Sequence, residues 1–145
     1  MDRRTRRELL ERLTADAGRI ARAFDLEYRS IEAERANVKS RYGVCYDDGS
    51  IKIRLSHAVS GQALKYSSLV NTLCHELAHL RHFNHGPRFK AFYLQLLEWS
   101  RREGIYRPRT SEPLQPAAFG ERPRTRPARP PREPRPGHVQ LDLFA

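Results

Sequence analysis

Residues 69–89 read LVNTLCHELAHLRHFNHGPRF, a run that combines a helical apolar stripe with clustered histidines. Leu69, Val70, Leu73, Leu77 and Leu80 recur at helical spacing, which predicts a helix from about Tyr66 to Arg81. Its other face carries His75-Glu76-Leu77-Ala78-His79. Side chains four apart stand one above the other on a helix, so His75 and His79 can direct imidazole nitrogens at one zinc ion. Glu76, one residue on, can reach the attacking water without being a ligand. Zinc lowers the pKa of a bound water from 15.7 toward ~7, and a neighbouring carboxylate can then take the proton.

A His-Glu-x-x-His pattern can arise by chance on a surface helix. Here the apolar stripe packs the helix, so the histidine face can line a cleft, and further histidines follow. His82 and His85 compete as third ligand. His82 lies seven residues after His75, about 10 Å along the axis of a straight helix, too far for one ion to bind both easily. His85 sits where the chain turns back and can approach from another direction, leaving one position open for water. It is the favoured third ligand, with His82 solvated or supporting the ligands.

Working outward, Asn84, His85 and Gly86 break the helix, and Pro87 suits the first turn of the next one. That helix carries Phe89, Phe92, Tyr93, Leu96, Leu97 and Ser100 and stops near Gly104. Upstream, Glu27–Glu32, Val38–Tyr46 and Ile51–Leu55 read as short strands. Asp47-Asp48-Gly49-Ser50 predicts a hairpin between the last two. Arg41, Lys52 and Arg54 form either a basic strand face or an ordinary solvated one. Cys45 reads as packed in the hairpin, Cys74 as a small buried residue, and Trp99 as core. From about Thr5 to Phe24, Leu9, Leu10, Leu13, Ala17, Ile20, Ala21 and Phe24 predict a first helix. The order helix, small sheet, helix, helix gives an α+β domain.

Nine of the ten prolines fall between Arg107 and Pro136, with eight arginines and three acids. Such a segment buries too little apolar surface to offset its ordering entropy and is expected to be a disordered linker, 107–137. Residues 1–106 form the folded domain. The net charge of +10 divides into about +6 on residues 1–106 and about +5 on 107–136, with Asp142 removing one. Both parts are basic, which favours a polyanionic partner such as DNA. Two isolated cysteines, Cys45 and Cys74, exclude a disulfide framework and a four-cysteine zinc ribbon. No apolar run approaches membrane length and no signal-type segment opens the chain, so a cytoplasmic protein without membrane contact is expected. Apolar residues return only in 138–145, HVQLDLFA, which reads as a peptide that orders on docking to a partner.

The run His75–Phe89 resembles the core of the SprT-like and YgjP-like zinc metallopeptidases, whose HELAH-type helix is followed by Asn-His or Gly-His and an aromatic on the next helix. Arg41-Tyr42-Gly43-Val44-Cys45, then Asp48-Gly49-Ser50-Ile51, is similar to their Arg-Trp-Gly-x-Cys hairpin. The resemblance covers roughly residues 20–105. It implies a minimal zincin-like fold, a protein substrate, His75, His79 and His85 as zinc ligands and Glu76 as base. Tyr42 replaces the usual tryptophan, and the zinc ribbon that many SprT-like proteins append is missing, which leaves the Arg/Pro tail to supply any DNA contact. Gln140-Leu141-Asp142-Leu143-Phe144 resembles the bacterial sliding-clamp-binding motif, which implies Gln140 at a pocket rim and Leu141, Leu143 and Phe144 as anchors. Together these resemblances imply a metalloprotease that cleaves DNA-bound or DNA-crosslinked proteins and is recruited by the clamp. The rivals are a YgjP-like metal-dependent hydrolase without a DNA role and a non-catalytic zinc-containing clamp- or DNA-binding adaptor.

Overall fold

The computed structural model describes residues 1–35, 37–38 and 40–108, and the backbone of 138–141. Helix α1 (Arg3–Ala23) starts where the Asp2 carboxylate accepts from the Thr5 N–H at 2.8 Å, a side-chain cap for one orphan donor of the first turn. It buries Leu13, Ala17, Ile20 and Ala21, one stripe of the predicted periodicity. Three short strands follow: β1 (Ser30–Ala33), β2 (Arg41–Cys45) and β3 (Ser50–Ile53). β2 and β3 form the predicted hairpin, whose turn is closed by the Gly49 N–H to the Tyr46 carbonyl at 2.9 Å and the Ser50 N–H to Asp48 Oδ1 at 2.9 Å. β1 lies parallel to β3, pairing Ile31 with Ile51 and Ala33 with Ile53.

Helix α2 (Tyr66–Ala78) lies across the sheet and also touches α1 and α3. It ends three residues before the predicted Arg81. The N–H groups of His79, Leu80 and Arg81 bond the carbonyls of Glu76, Leu77 and Ala78, a tightened i→i−3 turn. Helix α3 (Pro87–Arg102) begins with Pro87 in its first turn and buries the predicted Phe89, Phe92, Tyr93, Leu96, Leu97 and Ser100. It closes with the Ile105 N–H on the Ser100 carbonyl, which requires the left-handed backbone that Gly104 adopts at φ 79°. Trp99 is partly buried, edge-on to Phe24 at 5.9 Å. The molecule is thus the expected α+β arrangement.

Two regions differ from the sequence reading. Arg41 and Arg54 do not form a solvated basic face. Arg54 is 5 % exposed, and its guanidinium donates to the carbonyls of Val38 at 2.6 Å and Arg41 at 3.2 Å. Arg41 pairs with buried Glu34 at 2.8 Å. A formal charge in the sequence says nothing about these carbonyls, which need donors once the hairpin buries them.

The second difference is at the C-terminus. Residues 138–145 read as a peptide set apart from the domain, whereas the backbone of β4 (His138–Leu141) pairs antiparallel with β2. The sheet order is β1-β3-β2-β4. Strand addition needs only unpaired N–H and C=O groups on an edge, and not a share of the core. Residues 109–137, with most of the linker, and 142–145, with Leu143 and Phe144, lie outside the described residues.

Candidate metal centre

Local folding brings together the three histidines. His75 and His79 share one face of α2 with ring centroids 4.9 Å apart. The tightened turn after Ala78 reverses the chain, and His85 returns with its ring 4.7 Å from His79 and 5.1 Å from His75. One nitrogen from each ring lies within 4.8 Å of the others. The Nε2 atoms of His79 and His85 are 3.0 Å apart, near the ~3.4 Å that two ligands of one tetrahedral zinc would keep. His75 and His79 are buried and His85 is exposed, so the cluster opens to solvent on one side.

The surroundings hold these rings in place. His79 Nδ1 lies 3.1 Å from the His82 carbonyl, so this nitrogen carries the proton and Nε2 keeps its lone pair for the cluster. His82 therefore takes part through its backbone, while its ring lies edge-on to Phe92 at 5.7 Å. Phe89 of α3, fully buried, stacks on His79 at 4.3 Å and meets His75 and His85 edge-on at 5.0 Å each. Tyr93, one turn on, donates to Asn71 of α2 and lies 5.5 Å from the His75 ring.

Glu76 is fully buried, with Oε2 3.4 Å from His75 Nδ1. Burial pushes the His75 ring down to about 3, so the imidazole is neutral and the approach is a polar contact rather than an ion pair. Burial also pushes the Glu76 carboxyl well above its ordinary range, against the pull of Arg41. β2 crosses directly over this carboxylate. A Cβ on Gly43 would stand 2.8 Å from Thr72 Cγ2 and 3.1 Å from Glu76 Oε2. Gly43 is glycine because the strand backbone must come this close to α2.

A cleft of about 460 Å³ runs from His79 along the end of β2, lined by Cys45, Tyr46 and Phe83 and rimmed by Glu27, Asp47 and Asp48. The donor set suits a divalent cation. Three clustered imidazoles, one of them against the buried Glu76 carboxyl, make a ligand pattern found in catalytic sites, which keep a position open for water or substrate. Sequence reasoning picked out His75, Glu76, His79 and His85 as a group, and the fold assembles them. It missed the His82 carbonyl, the Asn71–Tyr93 hydrogen bond and the Gly43 contact. Only Gly43 left a signal, as a glycine inside a strand. Of the C-terminal residues singled out, Gln140 and Leu141 lie in β4, 38 and 39 residues beyond the end of α3 in sequence, and beside β2.

The profile of the YgjP-like metallopeptidase domain family matches residues 1–103, and the chain belongs to that family. It is a metallopeptidase, a metal-binding hydrolase. No curated protein matches it in sequence. Among solved structures it is similar to Wss1 from Saccharomyces cerevisiae, with TM-score 0.60 and 17 % identity over 66 % of this chain and 79 % of that one. It is also similar to Wss1 from S. pombe, with TM-score 0.52 and 26 % identity over 61 % of this chain and 75 % of that one. These likenesses agree with the α+β fold. No described helix is long and apolar enough to cross a membrane.

Proposed function

We propose that this YgjP-like metallopeptidase is a zinc-dependent cytoplasmic protease acting at DNA, where it cleaves proteins bound or crosslinked to the nucleic acid. The observation that carries the protease half is the convergence of His75, His79 and His85 beside the fully buried Glu76. In this reading His75, His79 and His85 would hold zinc, which when bound would supply Lewis acidity toward the scissile carbonyl and the attacking water. Glu76 takes the proton from that water as the C–O bond forms and returns it to the amine nitrogen as the C–N bond breaks. The His82 carbonyl fixes the tautomer of His79, and Phe89 blocks rotation of all three rings.

The DNA half is supported by the +10 charge and by the resemblance to SprT-like proteases. The sliding clamp is the proposed recruiter, contacted by Gln140, Leu141, Leu143 and Phe144 of a terminal peptide, with residues 107–137 as tether and phosphate binder. One observation favours the rival without a DNA role. Arg41 and Arg54 are engaged inside the protein, and the rim of the cleft is acidic through Glu27, Asp47 and Asp48. DNA must therefore meet some other surface, such as the exposed Arg3, Arg4 and Arg7 of α1 or the tail.

The deciding experiment is cleavage of a DNA-binding protein by wild type and Glu76→Gln, with and without single-stranded DNA, after zinc content is measured. We expect one zinc in each, DNA-stimulated cleavage by wild type and none by the variant. Cleavage indifferent to DNA supports the rival hydrolase. A peptide of residues 136–145 should bind purified bacterial clamp, and Leu143→Ala with Phe144→Ala should abolish binding; equal binding by both peptides rejects the clamp.

A further inference from the structure

β2 has two edges. One is satisfied by the β3 hairpin, and the other faces out beside the metal-ligating helix. An outward edge is a row of unpaired N–H and C=O groups that any extended chain can complete. Its place relative to the chemistry is unusual, because Gly43, the middle residue of β2, touches Glu76 and Thr72. At the far end, Cys45 lines the cleft together with His79. A strand on this edge would run directly past the general base proposed above.

In this structure the edge is filled. β4 pairs His138 with Cys45, Val139 with Val44, Gln140 with Gly43 and Leu141 with Arg41. The register shifts by one at Tyr42, and β4 also passes close to α2. The occupant is part of the same chain, so its local concentration does not depend on how much protein is present.

We infer that the outer edge of β2 is a docking site for an extended polypeptide strand, and that His138–Leu141 is its resident occupant, which competes with protein substrate for the edge. The competition with substrate rests on the protease reading; the docking itself does not. Residues 140 and 141 also belong to the proposed clamp peptide, so one segment cannot serve both surfaces at once. Engagement of the peptide elsewhere frees the edge. A strand with a dissociation constant of about 0.1 mM in trans, tethered at about 1 mM, lowers the free-edge fraction about tenfold.

Hydrogen exchange tests the docking without reference to catalysis. Three proteins are compared: the full chain, Gln140→Pro, which removes the ladder donor opposite Gly43, and a chain ending at residue 137. The outward amides of Arg41–Cys45 should exchange faster in both variants, while α2 amides stay protected. Adding the peptide of residues 136–145 to the shortened chain should restore the protection. Unchanged exchange in both variants overturns the inference. In parallel, cleavage of casein should rise about tenfold in kcat/KM on shortening, mainly through KM, with the peptide as competitive inhibitor. Lost protection with unchanged cleavage overturns the competition. Changed exchange with no cleavage by any form supports the docking and counts against the protease reading.

Discussion

α2 and β2 meet at Glu76 from opposite sides and contribute in opposite currencies. α2 and its C-cap supply side chains: His75 and Glu76 from the helix and His79 from the cap, with Phe89 of α3 behind them. β2 supplies backbone, a missing side chain at Gly43 and an outward edge. The difference teaches where changes should be felt. The polar side chains of α2 act through their chemistry, so a near-isosteric change such as Glu76→Gln should cost the fold little. β2 is wedged between a buried arginine, a hairpin and a helix, so its changes should move stability and activity together.

The sharpest way to break this comparison is Glu76→Gln. Removing a general base costs ~10²–10⁴ in rate, and the amide is nearly isosteric. We expect about a thousandfold loss of kcat, with metal content and melting temperature near wild type. A large fall in melting temperature would show that the carboxylate is structural. Gly43→Ala is the β2 counterpart. The new methyl meets Thr72 Cγ2 at 2.8 Å, and overpacking of this kind costs about 1–3 kcal/mol. Because the same methyl sits 3.1 Å from Glu76 Oε2, cleavage should fall as well, about tenfold. Thr72→Ser deletes the clashing methyl, so the double variant should regain most of the lost stability. Additive losses in a double-mutant cycle would place the strain elsewhere.

The same contrast explains what was legible before the fold was known. Leu69, Leu73 and Leu77 announced α2, and the i, i+4 histidines announced a metal site, because both are patterns of side chains on one element. The end of α2 was overshot because Leu80 continues the stripe, while the carbonyl that His79 bonds to lies in the turn beyond. β1 against β3 was not foreseen, since a strand's own alternation does not name its neighbour. Arg54 looked solvated because its acceptors are main-chain carbonyls, invisible in a list of side chains. β4 was set apart by an argument about core burial, although edge pairing asks only for backbone.

Arg54 gives a cleaner effect, confined to stability. Arg54→Met keeps much of the stem and strands the carbonyls of Val38 and Arg41, at roughly 1–3 kcal/mol per unsatisfied group. Thermal unfolding should shift down by about 10 °C or more, and lysine should rescue little because it lacks the fork that reaches two acceptors. The activity of the fraction that remains folded should stay close to wild type, since the guanidinium touches none of the histidines. A large drop in kcat at full folding would tie the β2–β3 connection to the chemistry more closely than the contacts suggest.

The least perturbing comparison uses the two native thiols, one on each element. Cys45 ends β2 and Cys74 sits in α2, its Sγ 3.8 Å from Ser100 Oγ. Burial pushes both up to about 12, so at pH 8 only about one thiol in 10⁴ is ionised and neither should react promptly with a disulfide reagent. Their slow reactions should nonetheless differ. Cys74 is 0 % exposed between two helices, and reaching it requires global unfolding. Cys45 borders the cleft and pairs with His138, so loss of one strand exposes it. Labelling of Cys45 should outpace that of Cys74 about tenfold under native conditions and accelerate further in Gln140→Pro, whereas Cys74 should follow the global stability alone. Equal rates at the two positions would mean that β2 opens only when the whole domain does, and the division between a chemical helix and a yielding strand would have to be abandoned.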